Sequence, residues 1–270
     1  MIRRFATCVA ILALQITVLA RCETLAAKPK LQLDKGNNVA YIGNTLADRM
    51  QHHAWLESYI QALFPEHDLT FRNLGYSADE VKRRDRADSF GSPDQWLTKV
   101  QADTVFCFFG RNEALSGDAG LEGFKKDLAE MLDGMREQKY NGKSAPNIVV
   151  FSPIAHENVE SPHLPDGSAQ NVNLEKYTAA MQAVCADKGI QFVDIFTPTK
   201  SLFANAEKPL TMNGIHLLDH GNKALAEVIV SKLFNKEAPA DVAKLREAVL
   251  DKNLYWFSRY RVVDEYNVFG

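Results

Sequence analysis

The sequence predicts an α/β fold: a three-layer α/β/α sandwich built on a parallel, flavodoxin-like sheet of five strands. From Val39 onward, short apolar runs alternate with longer amphipathic runs, the pattern of β-α repeats around a parallel sheet. Several of the short runs are apolar almost throughout, as in strands that helices cover on both faces. Such a sheet has right-handed crossovers and binds its ligands at the carboxyl ends of its strands.

The predicted strands are the five short apolar runs, at residues 39–43, 69–74, 104–109, 147–152 and 191–195. Between the first two, apolar residues recur at steps of three and four from Leu46 to Leu63, which predicts one helix that begins near Thr45. The same spacing predicts helices at residues 121–139, 174–188 and 219–234.

The composition changes after Pro239, which divides the chain into a main domain, residues 36–236, and a helical extension, residues 237–270. Residues 240–250 have helical spacing, and four aromatic residues follow closely in 253–260. We expect this segment to pack against the domain as an extra helix; an exposed docking surface is the alternative. Because the chain stops without a polar tail, we also expect a longer protein whose further domains contact this one.

The N-terminal segment has the features of a secretory signal peptide, which we assign to residues 1–27. Arg3 and Arg4 precede an apolar run, and small residues follow at Ala20, Ala26 and Ala27, as signal peptidase requires. The prediction is export to the periplasm or the exterior, with no membrane span after cleavage. An uncleaved anchor is the alternative interpretation.

Charge and cysteine content narrow the function classes. The formal net charge of −3 provides no basic field to hold nucleic acid. Cys107 falls in a predicted strand and Cys185 in a predicted helix, so we expect two buried free thiols rather than a disulfide, although export permits one. The motifs of metal and dinucleotide enzymes are absent from the sequence, so neither a metal site nor a cofactor is predicted.

Polar residues gather where the predicted strands end. The main groups are Gly43-Asn44-Thr45, Gly75, Gly110-Arg111-Asn112-Glu113, His156-Glu157 and Asn213-Gly214-Ile215-His216. All but the last follow a strand directly, and the last lies in the loop between the final strand and the final helix of the repeat. Hydroxyl, amide and imidazole groups converging on one edge are what a hydrolytic site requires.

In order and spacing these groups resemble the four blocks of the SGNH (GDSL-type) hydrolases, which read Gly-Asp-Ser, Gly, Gly-x-Asn-Asp and Asp-x-x-His. The resemblance covers residues 39–234, and this chain is a divergent member. Thr45 stands where the family has its serine, and Asn213 where it has its aspartate. The resemblance implies hydrolysis of small esters, including acyl groups on carbohydrate, without a cofactor.

The resemblance also implies a role for each site residue. Thr45 would be the nucleophile and His216 its general base. Asn213 would replace the carboxylate that fixes the tautomer of the histidine. The backbone N–H groups of Thr45 and Gly75 and the side-chain amide of Asn112 would form the oxyanion hole.

Several of these residues have a second interpretation. Threonine is a good helix N-cap, so Thr45 is either a nucleophile or a cap. Asp219 is either a replacement acceptor for His216 or the N-cap of the last helix of the repeat. The two replacements at catalytic positions also favour an alternative function, a catalytically impaired module that binds a glycan or an acylated ligand without turnover.

Four further residues are weaker candidates for substrate binding. Asn44 replaces an aspartate that braces the turn in the family, and it serves this purpose through hydrogen bonds. Arg111 either pairs with Glu113 or holds an anionic group of the substrate. His156 and Glu157 contact a polyol substrate, supply an auxiliary acid or base, or are solvated loop residues.

Overall fold

The computed structural model describes residues 31–84 and 90–261. The predicted signal peptide and the last nine residues of the predicted extension lie outside the described residues. Within those ranges there are five strands: β1 (Asn38–Gly43), β2 (Thr70–Asn73), β3 (Thr104–Phe108), β4 (Asn147–Phe151) and β5 (Gln191–Val193). They form one sheet in the order β2-β1-β3-β4-β5, with every neighbouring pair parallel. The predicted fold class and strand order are confirmed.

Eight α-helices surround the sheet in the described part of the chain. They are α1 (Thr45–His53), α2 (Trp55–Leu63), α3 (Pro93–Lys99), α4 (Gly117–Glu137), α5 (Ser168–Lys188), α6 (Phe196–Asn205), α7 (Asp219–Phe234) and α8 (Ala243–Tyr260). None of the helices described is long and apolar enough to cross a membrane.

The three layers follow from the alternation of side chains along the strands. One face of the sheet, which includes Phe106 and Phe151, packs against α2 and α7. The opposite face, which includes Val105 and Val150, packs against α4 and α5. Cys107 and Cys185 are both buried in this second layer as free thiols, as predicted. Since both faces are covered, the polar groups of the sheet are reached only at its edges.

The single helix predicted from Thr45 to Leu63 is wrong: the chain forms two helices instead. Ala54 has a left-handed backbone (φ 58°) that ends α1, and its N–H donates to the carbonyl of Met50. The apolar spacing continues across this break, which is why the pattern alone predicts one helix. The break lets α2 turn onto α7 while α1 stays at the end of β1.

Helix α8 lies against the domain rather than away from it. The side chains that point inward bond to backbone carbonyls of the domain: Asn253 to Gln51, Trp256 to Asn73, and Tyr260 to Leu74. The helix runs through the aromatic segment without interruption. It therefore supports the edge of the sheet formed by β2 and the helix that follows β1.

Candidate active site

A cavity of about 180 Å³ opens at the carboxyl ends of β1, β3 and β4. Five of the predicted site residues line it: Asn44, Thr45, Arg111, Asn112 and His216. Its remaining walls are mostly apolar and include Phe108, Ile154 and Leu217. The rule that parallel sheets bind ligands at this edge therefore locates the cavity, and the motifs that looked unrelated in sequence meet there.

Thr45 is the first residue of α1, and the cap of that helix is Asn44. The side chain of Asn44 accepts a hydrogen bond from the N–H of Leu46 (3.1 Å), and the backbone N–H of Asn44 donates to the carbonyl of Phe108 (3.1 Å). Asn44 thus braces the turn, as predicted for it. The interpretation of Thr45 as the N-cap is wrong, and its hydroxyl is not needed for that purpose.

Glycine at position 43 makes the turn between β1 and α1 feasible. Its φ is +135°, and a Cβ on Gly43 would overlap the carbonyl oxygen of Phe108 in the neighbouring strand. Any other residue would push β1 and β3 apart. The close approach of these two strands positions Thr45 over the carboxyl end of β3.

Gly75 does not fit the oxyanion role that the resemblance implies. Its N–H donates to the side chain of Asn73 (2.9 Å), and Gly75 is not among the residues lining the cavity. A Cβ at this position would lie 2.7 Å from the Cβ of Ala47 and from the N of Asp48. Gly75 therefore serves close packing against the first turn of α1.

Asn112 reaches the cavity from the loop that follows β3. Its amide nitrogen lies 3.4 Å from the carbonyl of Asp79, a long contact that leaves the group available to a ligand. Glu113 fixes this loop by accepting hydrogen bonds from the N–H groups of Gly110 and Val81, both at 2.9 Å. Burial raises the pKa of Glu113. The predicted pairing of Arg111 with Glu113 is absent from the described contacts because this carboxylate binds backbone instead.

The partner of Arg111 is His156 rather than Glu113. Its Nη2 lies 3.2 Å from Nδ1 of His156, which is buried beside Gly214. Burial lowers the pKa of Arg111 to about 10. Burial and the charge of Arg111 together lower the pKa of His156, so a neutral imidazole accepts the hydrogen bond. His156 supports Arg111 from behind and does not line the cavity.

Glu157 is a buried anchor, so the three interpretations from the sequence are wrong for it. Its carboxylate accepts hydrogen bonds from the N–H of Leu210 (2.8 Å) and from the N–H (2.6 Å) and hydroxyl (2.5 Å) of Thr211. The hydroxyl of Thr211 in turn accepts from the N–H of Gly214 (2.8 Å). Glu157 therefore holds the loop that carries Asn213 and His216.

The contact between Asn213 and His216 determines the chemistry of the imidazole. Oδ1 of Asn213 accepts from the N–H groups of Ile215 (3.3 Å) and His216 (3.0 Å), which fixes the orientation of the amide. Its Nδ2 then faces Nδ1 of His216 at 3.0 Å. An amide nitrogen only donates, so Nδ1 accepts and the proton of the neutral ring resides on Nε2. Burial, Arg49 and Arg111 lower the pKa of His216.

Asp219 is neither the acceptor for His216 nor the N-cap of α7. It is the first residue of that helix, whose cap is Leu218. Its Oδ1 contacts Nδ1 of His53 (3.2 Å), Nε1 of Trp55 (3.1 Å) and Nη2 of Arg246 (2.5 Å). In the described chain, Asn213 is therefore the side chain that contacts Nδ1 of His216.

Sequence reasoning missed one charged residue of the cavity, Arg49. It lies one turn after Thr45 on α1 and lines the same cavity. The spacing of four residues from a site residue at a helix start was the available signal. In residues 31–84 and 90–261, no group of three or more His, Cys, Asp or Glu side chains is placed to hold a metal ion.

Solved structures share this fold. One neighbour is a catalytic mutant of Axe2, an acetylxylan esterase from Geobacillus stearothermophilus, at 14% identity and a TM-score of 0.61 over 78% of this chain and 100% of that one. Another is BT4096, a gut microbial diltiazem-metabolizing enzyme, at 15% identity and a TM-score of 0.60 over 76% of this chain and 48% of that one. A third is LAE5, an alpha/beta hydrolase enzyme from the metagenome of Lake Arreo, Spain, at 17% identity and a TM-score of 0.57 over 74% of this chain and 96% of that one. No curated protein matches the sequence significantly.

The fold and the match to a family pattern define a hydrolase class that acts on ester bonds. The chain belongs to the GDSL-like lipase/acylhydrolase family, whose pattern it matches over residues 36–224. This membership confirms the resemblance seen in the motifs and supports an ester-hydrolysing function.

Proposed function

We propose that this protein is an exported hydrolase of small esters, including acyl groups on carbohydrate, that acts through Thr45 and His216. One observation carries the proposal: the hydroxyl-bearing residue, the amide of Asn112 and the imidazole line one cavity at the carboxyl edge of the sheet. The signal-like N-terminal segment supports export. The acetylxylan esterase among the structural neighbours suggests the class of ester.

In the proposed reaction, Oγ1 of Thr45 forms a bond to the carbonyl carbon of the ester while its proton passes to Nε2 of His216. The amide of Asn112 and the N–H of Thr45 stabilise the negative oxygen. The imidazolium then returns the proton to the leaving alkoxide, which departs as an alcohol. Water hydrolyses the acyl-threonine by the same steps and releases the acid.

The contact of Asn213 with Nδ1 makes this reaction slow. Nε2 accepts a proton only in the tautomer that carries hydrogen on Nδ1, and that hydrogen would face the amide hydrogens of Asn213. In a chymotrypsin-type triad, Asp to Asn lowers kcat by about 10⁴ for this reason. The same contact favours the second candidate, a module that binds an ester or glycan without turnover.

Hydrolysis of p-nitrophenyl acetate tests the two candidates. We expect the purified chain to hydrolyse it slowly and Thr45→Ala to lose this activity. Thr45→Ser combined with Asn213→Asp should increase the rate by several orders of magnitude. If the wild type and Thr45→Ala are equally inactive while the double variant is active, the cavity has lost turnover, as the second candidate requires. If the double variant is inactive as well, the proposed mechanism is wrong.

A further inference from the structure

Among the described residues, the cavity has positive charge without a matching negative group. Two arginines line it, Arg49 from α1 and Arg111 from the loop after β3. In the part of the chain that the structure describes, no aspartate or glutamate lines the cavity. Neither arginine forms an ion pair with a described carboxylate. Glu113, the acidic residue nearest to Arg111 in sequence, accepts from backbone N–H groups instead.

Each guanidinium also has a buried nitrogen without a hydrogen-bond partner among the described residues. These atoms are Nε of Arg49 and Nη1 of Arg111. A buried charged donor that remains unpaired costs more free energy than a neutral one. Two such donors beside one cavity are therefore unusual in a folded chain. They show that the described protein groups do not saturate the hydrogen-bonding capacity of either guanidinium.

The two charges act on the same point in the cavity. Both Arg49 and Arg111 lower the pKa of His216, after the larger effect of its burial. The N-terminus of α1 adds to this field, since Thr45 occupies its first position, where the backbone N–H has no acceptor within the helix. An anion placed beside His216 would meet all three sources of positive potential.

We propose that Arg49 and Arg111 form an anion site for a small carboxylate or phosphate group, so that the ester hydrolysed here is one that carries a negative charge. Guanidinium groups bind both kinds of oxyanion through paired hydrogen bonds. The statement that the hydrolysed ester is charged rests on the proposed function. If Thr45 is the nucleophile, an anion site beside it selects which ester is bound for hydrolysis. The apolar walls accept the remainder of a small molecule.

Calorimetric titration of the purified chain tests the site. The probes are succinate, inorganic phosphate and the neutral analogue succinamide, at constant ionic strength. We expect saturable binding of at least one anion and none of succinamide in the same concentration range. Binding of succinate alone identifies a carboxylate site, and binding of phosphate alone a phosphate site. Absence of saturable binding of either anion, or equal binding of succinamide, overturns the inference.

Charge-removing variants assign the binding to the two arginines. Arg49→Met and Arg111→Met should each weaken anion binding at least tenfold, and the corresponding lysine variants should retain part of it. Arg136→Met is the matched control, because Arg136 bonds to the carbonyl of Lys188 and does not line the cavity. Circular dichroism verifies that each variant is folded. Unchanged affinity in both methionine variants would overturn the assignment.

The two proposals fail separately. The ester p-nitrophenyl acetate is neutral, so its hydrolysis tests Thr45 and His216 without the anion site. If hydrolysis persists while no anion binds, only the anion site is wrong. If anions bind but Thr45→Ala matches the wild type in the hydrolysis assay, the anion site is supported and the role of Thr45 as nucleophile is wrong.

Discussion

The amide of Asn213 controls which nitrogen of His216 carries the proton. Rotating the amide by 180° would direct its NH₂ group at the N–H groups of Ile215 and His216, which now donate to Oδ1. The observed orientation is therefore the one in which every donor has an acceptor. An aspartate would keep the same two backbone bonds with one oxygen and accept from Nδ1–H with the other.

We therefore predict that His216 exists as the Nε2–H tautomer in the wild type and as the Nδ1–H tautomer in Asn213→Asp. The new carboxylate should also raise the pKa of His216, because a nearby negative charge favours the imidazolium. Two-bond ¹H–¹⁵N correlation spectra of the ring nitrogens distinguish the two tautomers. Asn213→Ser, which offers a hydroxyl that can donate or accept, serves as the intermediate control. Identical ring spectra in wild type and Asn213→Asp would contradict the prediction.

At the scale of elements, α8 is joined to α2 by an ion pair in which Glu57 is buried and Lys252 is partly exposed. Nζ of Lys252 lies 2.7 and 2.8 Å from the two carboxylate oxygens of Glu57, and it also donates to the carbonyl of Phe71 (3.2 Å). Burial raises the pKa of Glu57 and lowers that of Lys252, while each partner acts in the opposite direction on the other. Each charge is therefore tolerated because of its partner.

We expect Lys252→Met to lower the free energy of unfolding by about 1–3 kcal/mol, because it leaves the buried carboxylate of Glu57 without its ammonium partner. The loss is smaller than for a fully buried pair, since solvent reaches the Lys252 side chain. Glu57→Gln combined with Lys252→Met should recover much of this loss, since neither charge then remains. Lys82→Met is the control: its pair with Asp127 is exposed, so its loss should change stability little. Urea unfolding measures all three. A loss in the double variant as large as in Lys252→Met would argue against the explanation.

The elements also show how far the sequence predicts the fold. Helix α7 was predicted with its observed bounds, Asp219–Phe234, because its apolar spacing is uninterrupted. The sequence does not predict the break at Ala54, because alanine has no preference for a left-handed backbone. The constraint on this residue comes from packing. The short helices α3 and α6 were also missed. Periodicity reports burial along a segment, and it does not report where the backbone turns.

The candidate site also has features that the sequence predicts and features that it does not. Thr45, Asn112 and His216 were predicted to meet because strand ends share an edge. The role of Glu157 was not predictable, since its partners Leu210 and Thr211 lie more than fifty residues away in sequence. Gly75 was assigned by resemblance, but its N–H bonds to Asn73, a local contact that the block pattern does not contain. Order along the chain identified the family, and side-chain partners required the structure.

At the scale of the whole molecule, the histidines link stability to pH. Burial lowers the pKa of four imidazoles, those of His52, His53, His156 and His216, below the ordinary value of about 6.5. The unfolded chain therefore binds more protons than the folded chain once the pH falls below about 6.5. The free energy of unfolding then decreases as the pH falls through the folded pKa values. The buried Glu57 and Glu113, with raised pKa values, act in the opposite sense at lower pH.

We predict that the chain loses stability between pH 7 and pH 5.5, and that His53→Gln, which removes a partly buried imidazole, reduces this loss. Each imidazole contributes at most about 1.4 kcal/mol per pH unit, and less where solvent screens it. Comparing each variant with its parent cancels the contribution of the glutamates, which both chains retain. His163→Gln is the matched control, since this histidine lies on an exposed loop. Urea unfolding across the pH range measures the effect. A His53→Gln variant with the parent's pH dependence would show that burial of this ring does not set that dependence.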